Sequence, residues 1–277
     1  MCAIALIFRV AVICILSLSA AYAATVEVPS CYTIVEAGQA ASKAKRELVV
    51  VVDQTAKFDA GLQETANKKI QKFIKPGDRV VLVSFSAFVK ERYSEVVLEA
   101  ILDQDIPENK KFTTGKVALA KMAKCLQEQE SATRNLVAGH LKKIFDESST
   151  NLPNTEILGT LTMLSREFLS TKKAERQYLF ILSDMLENSA TTSFYANNKV
   201  RRIEPDKEID KARLANMIGQ LNGVEVYIHG AGYTDDGKYK SSVEMKAIED
   251  FWGKWIRASG GVLRGYGAPS LFPEIGQ

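Results

Sequence analysis

The hydrophobic residues of this chain fall into two kinds of segment, and their alternation predicts a fold. Leu48–Asp53 and Gln177–Asp184 are continuous apolar runs that end in aspartate, as expected for strands buried on both faces of a sheet. After Asp53, apolar side chains instead recur three or four positions apart, which indicates a helix packed on one side. Strands that alternate with helices predict an α/β fold, with a doubly wound, mostly parallel sheet and helices on both faces.

The same two patterns recur to the end of the chain. Residues 103–150 are predicted to be a helical insertion, because the apolar positions within Lys116–Asp146 keep helical spacing throughout. Val200–Ile203 lies among polar residues and is expected to be an exposed loop. The other predicted strands are 79–86, 93–102 at the sheet edge, 224–230 and 261–267, and the other predicted helices are 62–74, 157–168, 209–221 and 243–258.

The first residues have the layout of a secretory signal peptide. Arg9 precedes a short apolar run, and Ala21 and Ala23 are the small residues of a cleavage site. We expect residues 1–23 to be removed and the protein to be periplasmic or secreted, without stable membrane insertion. The apolar start of the chain leaves an uncleaved anchor as the alternative. Removing 23 of the 277 residues leaves 254, which is enough for an arm at 24–46 and one large domain at 47–270.

Composition and charge narrow the class of partner. Hydrophobic residues are 46% of the chain and charged residues 25%, which is ordinary for a globular protein and argues against disorder. The formal net charge is +3. So small an excess of positive charge predicts neither nucleic acid nor an acidic membrane as the partner.

Cys31 and Cys125 are the two cysteines outside the leader. In an oxidising compartment two thiols most simply form one disulfide, which would tie the arm to the helical insertion. Two separate buried thiols, or lipidation of Cys31, are the alternatives, although the residues before Cys31 fit a lipidation signal poorly.

Polar side chains stand at three points where the predicted connections converge. Asp53 and Asp184 each end a strand, Thr55 follows Asp53, and Thr155 precedes a helix. Ligands of doubly wound sheets bind at the carboxyl edge of the strands. Two carboxylates and two hydroxyls form an oxygen-only set that suits Mg²⁺ or Mn²⁺. Each of these residues also has an ordinary role as a helix cap or turn former.

These residues resemble the von Willebrand factor type A domain family. "DQTAK", "NTE" and "SDM" look like the three loops of its metal-ion-dependent adhesion site, and "PGDRVVLVSFS" and "FWGKWIRASGG" resemble its second strand and a final helix. The resemblance follows the element order from about Glu47 to Gly267. It implies a metal held by Asp53, Thr55, Thr155 and Asp184, with an open position for a carboxylate of a protein partner.

Lys57 departs from the family pattern, which has a serine at this position. An ammonium has no lone pair to give a metal, and its charge repels a divalent ion. We therefore hypothesise that metal binding is weak or absent and that the Lys57 ammonium takes the cation's place between Asp53 and Asp184. In the alternative, Lys57 points to solvent and a weakened metal site survives.

No catalytic set emerges, so we expect a binding protein rather than an enzyme. His140 and His229 are far apart and offer no zinc spacing, and no nucleophile elbow is present. The enzymatic alternative is Mg²⁺-dependent phosphoryl transfer or hydrolysis by Asp53 and Asp184. A purely structural scaffold is the third hypothesis.

The most specific expectation is an exported protein-interaction module, part of a cell-envelope or secreted assembly, that binds an unidentified protein at this strand edge. The helical insertion is expected to lie over the same edge. The segment after Asp184 is expected to supply partner contacts, because aromatic and arginine side chains dominate interface energies, with an ordinary mobile loop as the alternative. The candidate contacts are Phe194, Tyr195, Arg201 and Arg202.

Overall fold

The computed structural model describes residues 28–35, 43–89, 92–149, 155–197, 199–233 and 242–277. The expected signal peptide at 1–23 lies outside these residues. The strands are β1 (Ala44–Asp53), β2 (Asp78–Val89), β3 (Arg92–Ile101), β4 (Ala174–Leu182), β5 (Tyr195–Ala196), β6 (Lys199–Val200), β7 (Glu225–His229) and β8 (Val262–Tyr266). The helices are α1 (Cys31–Val35), α2 (Ala60–Phe73), α3 (Glu108–Lys111), α4 (Lys116–Asp146), α5 (Ile157–Leu164), α6 (Pro205–Leu214) and α7 (Ser242–Ala258), with a π-helical turn at Ser165–Leu169.

Six strands form one sheet in the order β3-β2-β1-β4-β7-β8. All neighbouring pairs are parallel except β2 and β3, which run antiparallel at the edge. This is the predicted doubly wound α/β fold. The chain proceeds from β1 outwards through β2 and β3, and then returns to the other side of β1 with β4. The carboxyl ends of β1 and β4 therefore flank the point where the strand order reverses, the usual position for a ligand in such sheets.

Alternate residues of β1 enter two separate cores, as the period of a strand requires. Val49 and Val51 face a core that is closed by α5, α6 and α7. Val50 and Val52 face a second core, closed by α2, by the carboxyl-terminal half of α4 and by the last residues of the chain. Because β1 is buried on both faces, its sequence is apolar throughout rather than alternating.

The long helix α4 lies mainly on a face of the sheet and not over the expected strand edge. Its last turns pack in the second core, and the backbone amide of Ser149, just beyond it, reaches Gln54 O at 2.8 Å. Its first half lies at the opposite, amino edge of the sheet, where it packs on α1. The predicted Cys31–Cys125 disulfide joins α1 to α4 there, with Cα atoms 5.7 Å apart. The insertion therefore reaches the expected edge only at its carboxyl-terminal end, and the predicted disulfide is confirmed.

Two local predictions were also wrong. The helix expected at 209–221 is α6, which begins at Pro205 and ends at Leu214. It stops because Asn216 adopts a left-handed conformation with φ of 57°, and the chain then turns so that Met217 N donates to Ala212 O. Ile203, expected in an exposed loop, is 2% exposed and packs in the first core.

None of the helices in the described ranges combines the length and the apolar character needed to span a bilayer. The longest helix, α4, has charged residues along much of its length.

Candidate functional site

Asp53 ends the central strand with its carboxylate inside the protein. The side chain is 1% exposed. Its Oδ1 accepts hydrogen bonds from the backbone amide of Thr55 at 2.9 Å and from Thr55 Oγ1 at 2.6 Å. Its Oδ2 accepts one from Ser183 Oγ at 2.7 Å. Both carboxylate oxygens are therefore occupied by donors from the ends of two adjacent strands.

Thr55 and Thr155 meet at this edge although they are a hundred positions apart. Their hydroxyl oxygens are 2.9 Å apart. Thr155 is held in place by two backbone hydrogen bonds with Asn188, at 3.2 and 2.9 Å, so the loop after β4 fixes a residue that lies just before α5. The structure thus brings together Asp53, Thr55 and Thr155, three of the four predicted metal ligands.

Asp184 occupies a different position from Asp53. It is partly exposed, its Oδ1 accepts from the backbone amide of Leu186 at 2.9 Å, and its carbonyl accepts from Gly232 N at 2.8 Å. The residue of this loop that contacts Asp53 is its neighbour Ser183, which is fully buried. Sequence reasoning missed Ser183. The available signal was its place at the end of the "LFILSD" run, beside the aspartate on the adjacent strand.

Burial dominates the electrostatics of Asp53. Removal from water raises the pKa of the carboxyl group, and the hydrogen bonds from Thr55 and Ser183 oppose that rise because they stabilise the ionised form. Asp53 is held rigidly and is shielded from solvent. It is therefore better placed to orient the neighbouring hydroxyls than to contact a substrate.

A second buried carboxyl group lies beside the site. Glu187 is fully buried, and its Oε2 accepts from the backbone amide of Leu158 at 2.8 Å, in the first turn of α5. Burial raises the pKa of Glu187 to about 8, with a further rise from the nearby Glu156. Glu187 therefore couples the loop after β4 to the start of the helix that follows Thr155.

Lys57 is exposed. The Asp53 oxygens are filled by the hydroxyls of Thr55 and Ser183 and not by an ammonium. Lys57 therefore does not bridge Asp53 and Asp184 as hypothesised. Its exposed side chain agrees with the alternative, in which it points to solvent. The turn after β1 is closed by a hydrogen bond from Ala56 N to Asp53 O at 3.4 Å.

The two threonine hydroxyls are hydrogen-bonded to each other, and their spacing also falls within the range of adjacent oxygens around a small divalent cation. Adjacent oxygens in an octahedral Mg²⁺ shell are about 3.0 Å apart, because each lies about 2.1 Å from the ion. The distance between Thr55 Oγ1 and Thr155 Oγ1 is 2.9 Å. The Asp53 carboxylate accepts hydrogen bonds on both oxygens, so it would hold Thr55 in place rather than coordinate a cation directly. The described residues contain no group of three or more His, Cys, Asp or Glu side chains able to hold a metal.

The four expected partner contacts do not form one exposed surface. Phe194 is fully buried and packs edge-to-face on Phe251, with ring centroids 5.2 Å apart. Tyr195 is partly buried against the first core. Arg201 bonds Glu208 at 2.8 Å and Ser193 O at 2.8 Å, whereas Arg202 is exposed. Phe194 and Arg201 therefore stabilise the fold, and the prediction of an aromatic partner surface was wrong for Phe194.

No model of a protein family matches the chain, and no curated protein matches it. Among solved structures, the pilus adhesin SpaC from Lactobacillus rhamnosus GG is 12% identical, with a TM-score of 0.41. The matched region covers 83% of this chain but only 29% of the adhesin chain. An aerotolerance-related membrane protein from Bacteroides fragilis is 11% identical, with a TM-score of 0.32 and coverages of 80% and 92%. BatB from Bacteroides thetaiotaomicron is 10% identical, with a TM-score of 0.35 and coverages of 78% and 88%. Similarity at this level does not identify the function of this chain.

Proposed function

We propose that this protein is an exported interaction module of the von Willebrand A type, which binds a protein partner at the carboxyl edge of its sheet. The observation that carries the proposal is the contact between Thr55 and Thr155, at 2.9 Å, beside a buried Asp53. Three loops converge on this hydroxyl pair at the point where the strand order reverses.

In this proposal the site takes a divalent cation weakly. Thr55 and Thr155 would be the protein's direct ligands, Asp53 would orient Thr55, and Asp184 would add negative charge from the neighbouring loop. Bound Mg²⁺ or Mn²⁺ would supply an open coordination position for a carboxylate of the partner. The exposed Lys57 lowers the affinity for the cation by adding positive charge near the same edge.

Thermal unfolding with Mg²⁺ or Mn²⁺ against chelator tests the cation site. A ligand at 100 times its Kd stabilises the folded state by about 2.7 kcal/mol, which is a shift of several degrees for a domain of this size. We expect a small shift in the wild type, a larger one in Lys57→Ser, and none in Thr155→Val, which keeps the shape of threonine without its hydroxyl. Equal shifts in all three proteins would place the cation elsewhere, and no shift in any would leave a metal-independent contact.

Partner capture separates the proposal from its alternatives. We expect Thr155→Val and Asp184→Ala to reduce capture of one defined protein at least tenfold, while Glu167→Gln, at an exposed position away from this edge, has no effect. Unchanged capture in both variants would favour a scaffold.

The phosphoryl-transfer alternative has less support, because a nucleophilic carboxylate must reach its substrate and Asp53 is 1% exposed. Turnover of a phosphate ester that is lost in Asp53→Asn would reverse that judgement.

A further inference from the structure

The first half of α4 lies outside both cores that flank the sheet, and we call it the projection. Its inner turns are fixed at the amino edge of the sheet, where Gln129 Oε1 accepts from the backbone amide of Asp103 at 2.8 Å. From Gln129 back to Lys116 the helix extends for about 20 Å, at 1.5 Å for each residue. Over that length its apolar side packs on α1 and on Ile106 rather than on the sheet. The tip of this projection consists of α3 and the first turns of α4.

Apolar side chains at the tip stand in solvent. Phe112 is 92% exposed and Val117 is 71% exposed. Phe112 lies in the turn between α3 and α4, and Val117 is in the first turn of α4. Most large apolar residues of the chain are buried, so two such exposed side chains five positions apart form a local apolar patch.

Lysines surround this patch. Residues 108–124 contain five lysines and one acid, Glu108, which gives a net charge of +4. Lys111 is neutralised by Asp105 and Glu108, at 2.7 and 2.8 Å, and Lys124 approaches Glu128 at 3.7 Å. Within the described part of the chain, no ion pair involves the three remaining lysines, all of which are exposed: Lys110, Lys116 and Lys121.

The amino-terminal part of the chain joins the domain on the same projection. α1 is bonded covalently to α4 through Cys31 and Cys125. Gln129 Nε2 donates to Pro29 O at 3.1 Å, so the chain before α1 lies along this helix. The described residues before α1 therefore join the domain beside the first half of α4.

We propose that the tip formed by residues 108–124 docks on the surface of an anionic phospholipid membrane. Phe112 and Val117 would enter the boundary between headgroups and acyl chains, and Lys110, Lys116 and Lys121 would contact lipid phosphates while their stems cover apolar surface. Docking of this kind is peripheral and needs no spanning segment. It would hold the protein with the carboxyl edge of the sheet, and hence the proposed partner site, directed away from the membrane.

A lipid surface fits this tip better than the other macromolecules that bind cations. A nucleic acid would use the lysines but would leave Phe112 and Val117 in water, apart from base stacking on one ring. A protein would need a groove to receive two exposed side chains on a convex tip. A membrane interface accepts apolar wedges and positive charge together.

Tryptophan fluorescence tests the contact in the full chain. Trp252 and Trp255 are fully buried, so lipid-bound quenchers do not reach them. Quenching in a variant therefore reports the surroundings of the tryptophan introduced at the surface. We expect the emission of Phe112→Trp to be quenched by vesicles of brominated phosphatidylcholine in which phosphatidylglycerol makes up about a third of the lipid. Phe272→Trp is the matched control, because Phe272 is 90% exposed and lies on the carboxyl-terminal segment against α2. Its emission should stay unquenched.

The comparison between the two positions holds whether or not residues 1–23 are removed, since both variants carry the same amino terminus. Replacing Lys110, Lys116 and Lys121 by Gln should weaken vesicle binding through the tip by about fivefold for each lysine, and raised salt should have the same effect. Equal quenching at 112 and 272, or no quenching at 112, would overturn the proposal. Loss of protein-partner capture in the lysine variant without any lipid contact would assign the tip to a protein instead.

Discussion

At the scale of single residues, His229 shows how a histidine at a strand end can be explained by its packing. It lies at the end of β7 and is fully buried. Its Nδ1 accepts from the backbone amide of Leu271 at 3.1 Å, so that nitrogen carries no proton. Its Nε2 therefore carries the proton and donates to Leu62 O at 3.1 Å. The imidazole is fixed as one neutral tautomer that joins β7, α2 and the carboxyl-terminal segment.

This arrangement predicts acid sensitivity. Burial lowers the pKa of His229 from 6.5 to about 4. Between these values the unfolded chain binds a proton that the folded chain does not, so stability is full above pH 6.5 and is lost as the pH falls towards 4. The loss attributable to this group is about 3 kcal/mol. We expect His229→Gln, which keeps a donor and an acceptor, to flatten this part of the pH dependence.

Urea unfolding at several values between pH 4 and 7 measures the difference between the two proteins. His140→Gln is the matched control, because His140 lies on α4 and is partly exposed. A slope that remains in His229→Gln and disappears in His140→Gln would contradict the assignment.

At the scale of elements, α5 begins where a loop from another part of the chain provides its cap. Its N-cap position, Glu156, makes no side-chain cap hydrogen bond. Glu187, from the loop after β4, accepts the Leu158 amide instead. A sequence pattern identifies a cap from adjacent residues, so this long-range cap was not predicted, although the helix itself was.

The same carboxyl group predicts a loss of stability at higher pH. Its folded pKa is about 8, against 4.5 for an ordinary glutamate. The folded chain therefore retains a proton that the unfolded chain has released, and this contribution is present at low pH and is lost as the pH rises through 8. Glu187→Gln should remove about 2 kcal/mol of the decrease in stability between pH 6.5 and 8, a range above the titration of His229.

Urea unfolding of Glu187→Gln, with the exposed Glu167→Gln as control, measures this effect. An unchanged slope in Glu187→Gln would mean that the carboxyl group is ionised in the folded protein. A change of equal size in the control would mean that the slope arises from surface charge.

Prediction was most successful for elements with a strong, uninterrupted period. α4 spans Lys116–Asp146, the limits that apolar spacing indicated. β3 forms the expected sheet edge and pairs with β2 in an antiparallel arrangement. The end of α6 was missed because a left-handed asparagine at 216, and not a glycine or proline, terminates the helical path.

At the scale of the whole molecule, one disulfide links the projecting α1–α4 unit into a loop. Cys31 and Cys125 are 94 positions apart. Closing a loop of this length stabilises the folded state by about 4–5 kcal/mol in the chain-entropy model. We expect replacement of both cysteines by alanine to lower the free energy of unfolding by that amount, as measured by urea midpoints.

Reduction of the wild-type protein should give the same loss as the double variant. A loss below about 1 kcal/mol would mean that the unfolded chain is little constrained by the bond. In that case α1 would be held to α4 chiefly by packing around Met122 and Ile106.

The sequence by itself determined the class of fold, the central strands, the long helix and the cysteine pair, because each depends on a local period or on a small set of partners. It also selected Asp53, Thr55 and Thr155, since strand ends converge at one edge of a parallel sheet. Only the tertiary structure decided which side chains meet there: Ser183 reaches Asp53, whereas Asp184 holds its own loop. It also buried Phe194 and exposed Lys57 and Phe112. These outcomes depend on how loops and distant elements pack on one another, which no local pattern of polar and apolar residues specifies.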